Sequence, residues 1–155
     1  MDGDLTRECE LVAGVLREVA AAVDAECEVA IEASAEGIRA EYVGADAGAL
    51  IGHHGQTLDA IQHLAQRVAF RGARERAPVI VDAAGYRGRR ETTLRAMADQ
   101  AADTAVREGR AVELEPMGAQ ERKVVHLHLK DRHDVETYSE GEEPSRRLVV
   151  VPVGV

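Results

Sequence analysis

Two pairs of residues in this chain of 155 have the spacing that could do chemistry. The first is Gly52 and Gly55, which bracket His53 and His54 in the run Leu50-Ile51-Gly52-His53-His54-Gly55-Gln56-Thr57-Leu58. Glycine lets a backbone turn tightly and come close to a ligand. An amphipathic stretch follows, so the free amides and positive dipole end of a helix would face whatever sits in the loop. That arrangement suits phosphates. The second pair is Arg122 and His126, four residues apart, which a helix places on one face. A guanidinium can grip a phosphate with two parallel hydrogen bonds, and an imidazole beside it can donate another. Lys130, one turn further, extends the stripe, and Arg146 with Arg147 either adds phosphate contacts or blunts an edge strand. Taken singly, each motif has a plain alternative: a tight turn for the glycines, a surface helix pair for Arg122 and His126.

Other chemistries find little support. His126, His128 and His133 lie close in sequence, but on a helix His126 and His128 point about 200° apart, whereas on a strand, for which 124–129 could also pass, they would share a face. No H-E-x-x-H and no cysteine partner accompanies them, so neither a metal nor a cofactor is expected. No serine or cysteine stands beside a recognisable base, so no catalytic residue is assigned and the chain reads as non-enzymatic. A hydrolase reading would rest on the histidines alone. Cys9 and Cys27 lack metal or redox spacing and read as reduced thiols of a cytoplasmic protein. No apolar run approaches the roughly 20 residues of a membrane span. The start, Met1-Asp2-Gly3-Asp4, is acidic and unlike a signal peptide. The net charge of −9 argues against a generic polyanion binder, yet it is unevenly spread. Residues 1–70 hold 4 basic and 13 acidic side chains, and residues 71–155 hold 15 of each, so the whole excess lies in the first part.

The elements that must position these residues follow from periodicity. Residues 5–23 carry a helical stripe of Leu5, Leu11, Val12, Val15, Leu16 and Val19. From residue 26 the period becomes two, predicting a half-buried strand over 26–33. A turn at 34–37 and a second alternating run over 38–42 make a hairpin. Asp46 is expected to cap a short helix over 47–51. A longer helix is expected over 56–70 with Leu58, Ile61, Leu64, Ala65 and Val68 inward, then a buried strand at 79–81. Gly85 to Arg89 reads as a hinge. Beyond it come an alanine-rich helix over 91–107, a short strand over 111–115 and a helix over 119–130. Strands at 135–139 and 147–153, joined by a polar loop over 140–145, complete the pattern.

In this order the first part resembles a type II KH domain, in which a G-x-x-G loop between two helices clamps single-stranded backbone. The residues that carry the resemblance are Ile51-Gly52-His53-His54-Gly55-Gln56-Thr57-Leu58 in their β-β-α-loop-α-β setting. The second part resembles an R-3-H domain through Arg122-Lys123-Val124-Val125-His126 and the following Thr137-Tyr138-Ser139-Glu140-Gly141. A KH unit followed by an R-3-H unit is the arrangement of the bacterial Jag family, also called KhpB or EloR, and the chain looks like a member. Many members carry a further N-terminal domain and linker, whereas the resemblance here starts at residue 5. The loop positions that are often basic in KH domains are His53 and His54 here.

The resemblance implies an α+β fold. A type II KH domain over residues 1–85 (α-β-β-α-GxxG-α-β, a three-stranded sheet with helices on one face) precedes a small α/β R-3-H domain over 86–155. It implies a non-enzymatic single-stranded RNA-binding protein, an RNA chaperone or post-transcriptional regulator linked to cell elongation and division. Gly52, His53, His54 and Gly55 would hold one stretch of backbone, with bases in a groove lined by Ile51, Leu58 and Ile38. Arg122, His126 and Lys130 would hold another. Single-stranded DNA is the alternative ligand. A small stand-alone KH protein is an implied partner, and contact with a membrane insertase is a weaker implication. A different reading is a protein-interaction scaffold or adaptor acting through the acidic N-terminal half.

Overall fold

The computed structural model describes residues 5–154, so the acidic start at Met1 to Asp4 lies outside the described residues. The chain divides into two compact units, one reaching to Arg87 and one starting at Gly88.

The first unit runs α1 (Thr6–Ala22), β1 (Glu28–Ser34), β2 (Gly37–Val43), two 3-10 turns (Ala47–Leu50 and His53–Gly55), α2 (Gln56–Ala69) and β3 (Val79–Ala83). The sheet order is β1-β2-β3, with β1 antiparallel and β3 parallel to the central β2. Alternation along β2 sets the two faces. Ile38, Ala40 and Tyr42 point into the core, while Arg39 and Val43 stay exposed. α1 contributes Val12, Leu16 and Ala20 to that core, and α2 contributes Leu58, Ile61, Ala65 and Ala69, so both helices cover one face of the sheet. The Tyr42 hydroxyl is buried and donates to the Leu16 carbonyl at 2.8 Å, which ties β2 to α1 and satisfies the one polar atom of that side chain. Burial pushes its phenol pKa up.

β3 is an edge strand, and its open side is covered by α2. The Gln66 side chain donates to the Ala77 carbonyl at 2.9 Å and accepts from the Val79 amide at 2.8 Å. Gln62 accepts from the Val81 amide at 2.9 Å. Two glutamines one turn apart thus occupy strand groups that would otherwise invite another chain.

The second unit contains most of α3 (Tyr86–Glu108), then β4 (Val112–Glu113), α4 (Ala119–Leu129), β5 (Val135–Glu140) and β6 (Arg147–Pro152). Its sheet order is β4-β6-β5, antiparallel throughout. The apolar run Leu148-Val149-Val150 is buried because β6 is central. Leu94, Ala98, Ala101, Ala102 and Ala105 of α3 pack with Val125 and Leu129 of α4 against Leu148 and Val150. Alanine lets helix and sheet approach closely here. Arg90 and Glu121 join α3 to α4 through two hydrogen bonds, at 2.6 and 3.2 Å.

Several expectations need correction. The segment 85–89, expected as an irregular connection, is mostly helical: α3 begins at Tyr86 and runs through Gly88. Asp82 accepts from the Arg87 amide at 3.2 Å and Glu41 accepts from the Gly85 amide at 3.0 Å, so carboxylates satisfy donors at this helix start. Asp46 does not cap the turn that follows it. Its carboxylate instead accepts from the Glu26 amide at 2.8 Å, which closes the end of the β1–β2 hairpin. The helix expected over 47–51 is a single 3-10 turn, Ala47–Leu50. Leu64 and Val68 are not inward but 48% and 37% exposed. The buried positions of α2 step through 58, 61, 65 and 69, and residues 64 and 68 lie about 100° off that line. The strand expected over 111–115 shrinks to two residues, Val112–Glu113.

Candidate nucleic-acid interface

The loop at 52–55 is built on two glycines in conformations that other residues avoid. Gly52 has φ 72° and ψ −175°, and Gly55 is left-handed at φ 80° and ψ 10°. A Cβ on Gly52 would lie 2.8 Å from the Thr57 backbone nitrogen, and one on Gly55 would lie 2.8 Å from Cε1 of Tyr86. Both glycines are therefore required by the backbone and by their neighbours. His54 is also left-handed, at φ 51°, and its ring stacks on His53 with centroids 4.0 Å apart. The loop thus presents two imidazoles as one surface.

The start of α2 differs from the expected open helix end. The Thr57 and Leu58 amides both donate to the Ile51 carbonyl, at 3.2 and 3.3 Å, and the Gln56 amide bonds the His53 carbonyl. Loop carbonyls thus take the place of a capping side chain, and these amides are not offered to a ligand. The turn closes with Gly55 N–H on the Gly52 carbonyl. Its first amides, those of His53 and His54, gain no acceptor from the turn itself. Any backbone grip on a phosphate belongs to them.

The expected apolar groove is largely absent. Leu58 is fully buried and Ile38 is 1% exposed, because both fill the space between sheet and helices. Ile51 is half-buried and is the one member of that set that reaches the surface.

In the second unit, α4 and the strands frame two neighbouring cavities. One, of about 380 Å³, is lined by Arg122, Lys123, His126, Thr137, Ser139 and Arg146 among others, with no carboxylate in its wall. The other, of about 410 Å³, is lined by His126, Lys130, His133, Glu136 and Thr137 among others. The His126 Nδ1 and the Thr137 hydroxyl share a hydrogen bond at 2.5 Å, and both residues line both cavities. The structure thus places Arg122 and His126 in one cavity and Lys130 in the next.

Arg122 is not a free surface cation. Its side chain is 9% exposed. One Nη donates to the Met117 carbonyl at 2.6 Å and the other to Glu143 at 2.5 Å. That guanidinium holds the Glu143 carboxyl below the usual carboxylate range, and the charge of Arg146 adds to the effect. Arg147 pairs with Glu113 at 2.6 Å, and β6 is central, so neither arginine blunts an edge. Arg87 is likewise engaged: half-buried, it donates to the Val81 carbonyl, Asp59 and Gln62. His128 faces Asp99 at 2.9 Å, away from His126. No group of three or more metal-ligating side chains occurs among the described residues. No described helix is long and apolar enough to cross a membrane.

Lys123, Ser139 and Thr137 were not singled out by spacing. Lys123 sits inside the Arg-x-x-x-His motif and was legible there, whereas the two hydroxyls reach the cavity only through pairing of β5 with β6.

Comparison with known proteins accords with this geometry. The family model for the KhpA/KhpB KH domain matches residues 10–81, and that for the R-3-H domain matches residues 92–152. The RNA-binding protein KhpB of Bacillus subtilis (strain 168) is 36% identical over 137 residues, which cover 87% of this chain and 66% of that protein. The KhpB proteins of Lactiplantibacillus plantarum and Clostridium symbiosum are 41% identical over 103 residues and 40% identical over 107 residues. Those matches cover 66% and 69% of this chain, and 32% and 48% of the relatives. The chain thus spans about two thirds of the Bacillus relative and a third to a half of the others. With a KH unit followed by an R-3-H unit, it belongs to the KhpB (Jag) family.

Proposed function

We propose that this chain is a non-enzymatic single-stranded RNA-binding protein of two grips, one on each unit. The observation that carries the reading is the cavity beside α4, which gathers Arg122, Lys123, His126 and Arg146 with the hydroxyl-bearing Thr137, Tyr138 and Ser139 and no carboxylate in its wall. Such a donor set in a chain of net charge −9 is local and suits an anion. The relatives' name, RNA-binding protein KhpB, supports RNA as that anion. The second grip is the Gly52–Gly55 loop, where the His53 and His54 amides and their stacked rings meet backbone. Of the four aromatics Tyr42 and Phe70 are buried, whereas Tyr138 is 51% exposed and lines the cavity beside α4, where it offers a ring to a base. Regulation of cell elongation and division, cytoplasmic residence, and partnership with a small KH protein or an insertase belong to the same proposal. The division into a KH unit over 1–85 and an R-3-H unit over 86–155 belongs to it as well.

Fluorescence anisotropy with a single-stranded RNA at low salt tests it. Binding should weaken linearly in log–log form with added salt, as phosphate contacts release counterions. Wild-type protein that binds no RNA, or binds with no salt dependence, would overturn the reading.

A second reading, a protein-interaction scaffold, is favoured by one feature of the acidic half. A cavity of about 400 Å³ between α1 and the edge strand β1 is lined by Leu5, Cys9, Ala13, Ile31 and Ala33 among others. A partner that stays bound after nuclease treatment would favour that alternative.

A further inference from the structure

The residues that shape the Gly52–Gly55 loop include one from beyond the last strand of the first unit. Gly55 is buried, and Tyr86 faces it so closely that a Cβ on Gly55 would lie 2.8 Å from Cε1 of the ring and 3.6 Å from Cδ1 and Cζ. Tyr86 is the first residue of α3 and is half-buried against the core of the first unit. The KH match ends at residue 81 and the R-3-H match starts at 92, so Tyr86 belongs to neither.

The chain is fixed where it delivers this ring. Ala84 and Gly85 are both left-handed, at φ 48° and 65°, and turn the chain out of β3. The Ala84 amide donates to the Tyr42 carbonyl at 3.2 Å, the Gly85 amide to Glu41 at 3.0 Å and the Arg87 amide to Asp82 at 3.2 Å. The Arg87 side chain then clamps the start of α3 onto α2. Its Nε donates to the Val81 carbonyl at 2.7 Å, and its Nη groups donate to Asp59 at 3.0 Å and Gln62 at 3.1 Å. Asp59 lies in the first turn of α2, directly after the loop. Ties on both sides of Tyr86 leave its ring little freedom to retreat from Gly55. The loop needs such a support. His54 and Gly55 are consecutive left-handed residues, and the turn closes on a hydrogen bond of 3.4 Å from the Gly55 amide to the Gly52 carbonyl. A left-handed residue other than glycine persists where the surrounding structure holds it.

We propose that Tyr86 is a positioning residue for this loop. Its ring braces Gly55, holds His54 left-handed and thereby aims the His53 and His54 amides at the strand backbone. Arg87 anchors the ring. A strand gripped by a braced loop finds those amides already in place, so less ordering accompanies binding. The effect on affinity rests on the RNA-binding reading, whereas the brace itself does not.

Anisotropy with a single-stranded RNA tests it on wild type, Y86A, Y86F and H53D/H54D, each held below its melting temperature. Y86A should bind about tenfold more weakly, the equivalent of one charge-assisted hydrogen bond. Y86F keeps the ring and should bind like wild type. H53D/H54D keeps both glycines, and aspartate enters the left-handed region readily, so the variant sets carboxylates against the phosphate with little backbone strain. In that background Y86A should cost no further affinity, whereas a ring acting on another surface would give the same loss in both. Hydrogen exchange gives a readout without RNA: the Gly55 amide should exchange faster in Y86A than in wild type or Y86F. A folded Y86A with wild-type affinity, or with an equal loss in both backgrounds, overturns the proposal. Wild type that binds no RNA refutes the RNA reading, and the exchange rate then decides on the brace. If Y86A fails to fold, the wild type decides alone. Its NMR cross-peak between the Tyr86 ring and the Gly55 Hα should survive saturation with RNA, and loss of that cross-peak overturns the brace.

Discussion

Replacing Gly52 by alanine should break the loop more severely than any other single methyl group added to it. Gly52 occupies φ 72° and ψ −175°, a region reserved almost entirely for glycine. Holding alanine there costs about 1–3 kcal/mol. The new Cβ would also press on Thr57, 2.7 Å from its Cβ and 2.8 Å from its backbone nitrogen. Those atoms belong to the first turn of α2, whose amides are tied back to Ile51, so they cannot retreat cheaply. Overpacking of this kind adds about 1–3 kcal/mol. We expect a total of roughly 2–6 kcal/mol if the loop keeps its shape, which for a unit of this size lowers Tm by about 8 °C or more. If the loop relaxes instead, part of that cost is returned, but the His53 and His54 amides move and RNA affinity falls. Chemical denaturation and anisotropy, run on one preparation, separate these outcomes. Gly48→Ala is the control: that glycine has open space within 4 Å and no left-handed φ, so the change should stay within about 0.5 kcal/mol. A G52A protein with both stability and affinity unchanged would refute the reasoning.

Other expectations follow from single contacts. Tyr42→Phe removes the hydrogen bond to the Leu16 carbonyl and should cost about 1 kcal/mol in denaturant unfolding, with little change in RNA affinity. Gly14→Ala sits in a helix interior with free space around it and should stabilise by roughly 0.5–1 kcal/mol, read as a rise in midpoint. Glu143 has its folded pKa depressed by Arg122, so its contribution is present above the ordinary carboxylate pKa and is lost as pH falls through the lowered folded value. Glu143→Gln should therefore be less stable than wild type near neutrality, and the gap should close in strong acid when Tm is followed against pH.

The sequence by itself determined the order of elements and the two motifs. Alternation at Ile38, Ala40 and Tyr42, and helical spacing at Val12 and Leu16, follow from burying one face of a strand or helix, a local property of the chain. Gly52 and Gly55 were legible because a conformation closed to other residues leaves its mark in residue type. Helix ends were less legible. The start of α3 at Tyr86 depends on Asp82 and Glu41, partners that periodicity does not report. What side chains are free to do was decided only by the tertiary structure. Helical spacing placed Leu58 inward and the KH resemblance placed it in a binding groove, and packing against the sheet puts it in the core. Spacing offered Arg122 as the phosphate grip, but the fold brings Met117 and Glu143 to its guanidinium and leaves the buried Nε groups of Arg146 and Arg147 without a hydrogen-bond partner. A charge is available to a ligand only where no nearer partner has taken it. Those partners come from distant parts of the chain: Glu143 lies 21 residues from Arg122 in sequence and within hydrogen-bond reach in space.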